Sequence, residues 1–113
     1  MSRTGVFFNP LLFLLAIVLT IFFCATGAKA QDAPGLYKAK CVMCHGAEGK
    51  ADTPAGKSTG ARSFGSPEVQ KETDAELTQI TTKGKGKMPG YENKLTGPQI
   101  ADLVAYVRRL GSN

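Results

Sequence analysis

Two cysteines and a histidine stand together in this chain as Cys41-Val42-Met43-Cys44-His45. This C-x-x-C-H spacing is the attachment signature of a c-type haem. One helical turn sets both sulfurs along one porphyrin edge, where they add to two vinyl groups, and the adjacent imidazole points at the iron. His45 is the only histidine, so iron bound through imidazole is bound there. Other chemistries fit less well. Thioredoxin-like use of Cys-x-x-Cys needs a βαβ setting, which the pattern lacks. A structural zinc needs four ligands, and adjacent Cys44 and His45 make poor geometry for one. Gly56-Lys57-Ser58-Thr59 has the form of the end of a phosphate loop, but Ala51 stands where the pattern wants glycine, and no strand precedes it.

A six-coordinate haem iron needs a second axial ligand. Met43 lies inside the motif turn and cannot reach the opposite face. Met88 remains, in Lys83-Gly84-Lys85-Gly86-Lys87-Met88-Pro89-Gly90-Tyr91. Glycines there let backbone pass close to a ring, and Pro89 fixes the turn after the sulfur. Lys85 or Lys87 is the alternative ligand at high pH. His–Met coordination raises the reduction potential relative to two imidazoles, and it leaves no open iron position for a substrate. An open-site peroxidase or gas sensor would need Met88 off the iron. The free nitrogen of an iron-bound imidazole is normally fixed by an acceptor, and the Pro54 backbone carbonyl is the candidate. Arg62 and Tyr91 are candidate donors to the haem propionates. Lys83, Lys85 and Lys87 either form a positive edge that attracts an acidic redox partner or are ordinary solvated residues.

These residues need elements to hold them. Arg3 opens a short positive region, residues 11–23 are almost unbroken apolar sequence, and Ala28-Lys29-Ala30 follows. This is the layout of an export signal cleaved before Gln31, which places the remainder in the periplasm. An uncleaved membrane anchor is the alternative. Lipidation at Cys24 is disfavoured by Phe22 and Phe23. Residues 31–113 then form one haem-binding domain. It holds 12 Lys+Arg (14 in the chain less Arg3 and Lys29) against 9 Asp+Glu, a formal +3, which is far from a nucleic-acid-binding balance. Both its cysteines belong to the motif, so no disulfide framework remains. With no tryptophan and so short a chain, the core needs a staple, and a covalent haem is one.

Three helices are predicted. The first runs from about Ala33 to Cys44 with Asp32 as cap. The second opens at the capping box Thr73-Asp74-Ala75-Glu76 and ends at Gly84, with a short turn at Ser66-Pro67-Glu68-Val69 before it. The third opens at Thr96-Gly97-Pro98-Gln99 and carries Ile100, Leu103, Val104, Val107 and Leu110 at helical spacing. Arg108 and Arg109 favour the dipole of its last turn, and Gly111 is the stop signal. Residues 46–65 read as a long loop wrapping a cofactor face, and no segment alternates as a strand should.

In this order and spacing the motifs resemble those of small bacterial class I cytochromes c, over the whole of residues 31–113. The resemblance implies an all-α cytochrome c fold, with three to four helices around one covalently bound haem and the N- and C-terminal helices crossing. Tyr37 takes the family's aromatic position at that crossing, facing Leu103 and Tyr106, and is a candidate haem-pocket residue, and Ala33 stands where glycine is common. It implies haem c and iron as cofactors, Cys41 and Cys44 as thioethers, and His45 and Met88 as axial ligands. It also implies a monomeric electron carrier working between redox proteins, with a subunit or tethered relay of a dehydrogenase or oxidase complex as the alternative.

Overall fold

In the computed structural model the chain separates into two units, Met1–Ala30 and Gln31–Asn113. The structure describes residues 9–11 and 32–113. The leader read in residues 1–30 therefore lies outside the described residues apart from 9–11. No helix among the described residues is long and apolar enough to cross a membrane.

Helix α1, Ala33–Lys40, starts where the Asp32 carboxylate accepts from the Gly35 N–H at 3.2 Å. The expected first helix is broken at Cys41, whose φ of −118° tips the chain into a separate turn, α2, Val42–His45. The stretch read as a long loop contains a helix of its own, α3, Pro54–Thr59. Its cap is Thr53, its first residue is proline, and Gly60 closes it with φ +71°. That arrangement is a complete start-and-stop signal.

Helix α4, Pro67–Lys71, follows, and α5, Asp74–Lys83, opens on the predicted capping box with both reciprocal bonds made. The pattern held no strand signal, yet a minimal antiparallel hairpin follows. β1, Gly84–Lys85, pairs with β2, Met88–Pro89, placing Lys85 opposite Met88. Strands of two residues carry no period to read. A two-residue turn joins them, and Gly86 supplies the positive φ it needs (+58°).

Helix α6, Gly97–Gly111, opens on the second capping box; of its predicted stripe Val107 and Leu110 are half-buried, while Ile100, Leu103 and Val104 are sealed from solvent. Each contributes roughly 2 kcal/mol by leaving water. The stripe packs on α1 and α5. At the α1 contact the Tyr37 ring meets Tyr106 edge-on at 5.3 Å, the crossing of first and last helices that the sequence implied. Tyr37 is 2 % exposed, and its hydroxyl donates to the Gly46 carbonyl at 2.6 Å. Arg108 does more than complement its own helix end. Its guanidinium spans to the α4–α5 corner, donating to the Asp74 carboxylate (2.8 Å) and to the Val69 and Glu72 carbonyls.

Candidate haem site

The elements enclose one large, mostly apolar cavity of about 370 Å³. Cys41, Cys44 and His45 form one wall, and Met88 and Pro89 on the hairpin contribute another. Leu77 and Ile80 of α5 and Leu103, Val104 and Val107 of α6 supply apolar lining. Tyr37, Arg62 and Tyr91 also line it. Seven of the eight residues predicted for the site are thus brought to one cavity.

Pro54 is the exception. It is exposed, begins α3 and does not line the cavity. Its expected bond to the imidazole is not formed, and His45 Nδ1 is buried with no hydrogen-bond partner among protein atoms. The prolyl carbonyl sits in the first turn of a helix, where carbonyls point along the helix axis.

The imidazole is fixed in other ways. Its ring stacks on Phe64 with centroids 4.7 Å apart and planes 22° from parallel. Phe64 in turn donates its N–H to the Gly49 carbonyl at 2.8 Å. The His45 carbonyl accepts from Ala51 N–H at 2.9 Å. Thr53 locks the motif turn from outside, since its hydroxyl donates toward the Met43 and Cys44 carbonyls (2.7 and 3.1 Å) while accepting from Gly56 N–H. Gly56 lies so close under that turn that a Cβ there would meet the Cys44 carbonyl at 2.2 Å.

Burial pushes the His45 pKa down and the nearby Arg62 charge adds to this, with the Arg62 backbone carbonyl opposing. The imidazole is therefore neutral at pH 7, the form that can give a lone pair to a metal. Burial pushes the Cys41 thiol up, with Lys40 opposing. The predicted propionate donors are engaged within the protein. Both Arg62 guanidinium arms pair with the Glu72 carboxylate (3.0 and 3.1 Å), and Tyr91 donates to the Lys40 carbonyl at 3.1 Å. The lysine edge is partly neutralised as well. Lys83 pairs with Glu92, Lys85 lies 3.7 Å from Glu72, and Lys87 donates to the Ser58 carbonyl.

An apolar cavity, two thiols on one helical turn and a buried neutral imidazole with an unfilled nitrogen make a donor set that fits a covalent haem.

Residues 28–107 match the family model described as cytochrome C oxidase, cbb3-type, subunit III. The chain belongs to this family of c-type cytochromes. Cytochrome c6 of Gloeothece citriformis is 34% identical over 101 residues, covering 83% of this chain and 86% of that one. Cytochrome c6 of a Picosynechococcus species is 26% identical over 106 residues, 88% and 91% of the two chains. The solved KustC0563 c-type cytochrome superposes with a TM-score of 0.65 at 33% identity, over 70% of this chain and 96% of its own. This small class I cytochrome c has the all-α fold, carries covalently bound haem c with its iron, transfers electrons and so has redox partners.

Proposed function

We propose that Cys41 and Cys44 hold the haem as thioethers, that His45 and Met88 are its axial ligands, and that the protein shuttles single electrons between redox proteins in the periplasm. One observation carries this reading: His45 and Met88, far apart in sequence, line the same apolar cavity as both motif cysteines. The bound haem supplies an iron that alternates between ferrous and ferric. The protein's part is to hold and tune it. His45 offers a neutral imidazole because burial disfavours its charged form. The Met88 thioether is a soft donor that matches the ferrous state better than the ferric. The apolar walls keep water away and disfavour the more highly charged state. With His45 and Met88 both given to the iron, the site would leave no position there for a substrate, and the haem would supply electron transfer alone.

Export is part of the proposal. Arg3, the apolar run and Ala28-Lys29-Ala30 form a cleavable leader, and the boundary between the two structural units after Ala30 supports a mature chain starting at Gln31. Intact mass and a visible spectrum of protein made with haem-maturation machinery test the whole reading. The expected mass is that of residues 31–113 plus one haem, and the oxidised spectrum shows thioether-to-iron charge transfer. A high-spin ferric spectrum overturns the Met88 assignment. A second reading is favoured by the description of the matched family, which is that of an oxidase subunit: this domain works inside a larger complex. Co-purification with a membrane enzyme supports it, and recovery as a monomer supports the free carrier.

A further inference from the structure

Glu72 is not part of the haem motif, and its sequence neighbourhood offers no hint of a role. In the fold its carboxylate, 17 % exposed, takes both arms of Arg62 (3.0 and 3.1 Å) and lies 3.7 Å from the Lys85 ammonium. Both cations line the cavity, and they come from different elements. Arg62 lies two residues before Phe64, the ring on which His45 stacks, and lines the cavity with both. Lys85 is the strand partner of Met88. Glu72 is itself held in place, because Arg108 from α6 donates to its backbone carbonyl while also gripping Val69 and Asp74 on either side.

We propose that Glu72 is a positioning residue that ties the His45 wall to the Met88 wall, so that the methionine hairpin stays closed against outside ligands. The physical basis is a bidentate, partly buried guanidinium–carboxylate pair, which is stronger and more directional than an exposed ion pair. The Lys85 contact is looser, but it acts on a hairpin of only two residues per strand, which has little pairing of its own to keep it shut. The inference rests on Met88 being the ligand on the hairpin side.

The test is the affinity of added imidazole for the oxidised holoprotein, which reads how easily the hairpin side gives way. Glu72→Gln keeps the side-chain size and removes the charge. We expect imidazole to bind about tenfold more tightly than to wild type, the scale of losing one charge-assisted contact. Lys85→Gln, at a largely exposed residue, leaves the core untouched, so it is informative even if the Glu72 variant folds poorly. It should tighten imidazole binding by a smaller factor. The double variant should bind no more tightly than Glu72→Gln alone, because Lys85 acts through Glu72. A purely structural role for Glu72 would lower the melting temperature and leave imidazole affinity unchanged. That result, in variants that keep the wild-type thioether signature, overturns the inference alone. A wild-type protein without that signature overturns the axial assignment and the inference together.

Discussion

Replacing Tyr37 by phenylalanine removes one oxygen from the crossing of first and last helices. Its ring contacts remain, edge-on to Tyr106 at 5.3 Å and to Phe64 at 6.2 Å, so the change isolates the 2.6 Å hydrogen bond to the Gly46 carbonyl. Leaving a buried carbonyl unpaired costs as much as ~3 kcal/mol. Here the carbonyl keeps a second donor, the Gly49 N–H at 3.2 Å. The expected loss is therefore the net value of one bond, ~1 kcal/mol, or roughly 4–8 °C in Tm for a domain of this size. Tyr106→Phe is the control and should fall within ~0.5 kcal/mol of wild type. The pH dependence gives a second reading. Burial pushes the Tyr37 phenol far above its ordinary value of 10.0, and nearby Tyr106 adds to the rise. The folded state thus keeps the proton that the unfolded chain releases above that value. This contribution is fully present below pH 10 and lost as pH rises toward the folded value. The stability gap between wild type and Tyr37→Phe should hold steady at neutral pH and narrow above pH 10. Denaturant titrations of the holoprotein across that range measure it. A neutral-pH gap near zero, or one that widens in alkali, refutes the argument.

Thr53→Val should cost about 2 kcal/mol in the same titrations, since it removes the cap of α3 and the hydroxyl bonds to the motif turn. Met88→Ala should keep covalent haem, seen in the mass, while turning the ferric spectrum high-spin and lowering the reduction potential in a redox titration. Chain made without haem should not hold the fold. The apolar lining of a cavity of about 370 Å³ then has nothing packed against it, and a domain this small has little stability in reserve. Far-UV circular dichroism of that material should show much less helix than the holoprotein, and equal spectra would contradict this.

The long helices were legible because they announce themselves: Thr73 with Glu76 and Thr96 with Gln99 are caps that work through side chains. Helix α3 carried the same kind of signal in Thr53-Pro54 and Gly60, but it lay inside a stretch rich in loop residues and read as loop. The hairpin left no trace because two residues cannot alternate. For the site, the side chains that touch the cavity were legible from motif chemistry, whereas contacts made through backbone were not. Pro54 was chosen for the imidazole on spacing alone, and in the fold it starts a helix away from the cavity. Glu72 stayed silent for a related reason: it acts on the site through two other residues, and its sequence neighbours are an ordinary helix start.

The packing of α1 against α6 sets an order of events for a newly made chain. The helix that leads into both thiols packs on α6 through Tyr37 and Tyr106, which are far apart in sequence. Until α6 is available the first helix lacks that contact, and long-range contacts of this kind form slowly. The sulfurs consequently stay open to modifying machinery while that contact is unmade. Once the final helix docks, the same contact seals the pigment in, so a single late step separates the stage of chemical loading from the stage of service.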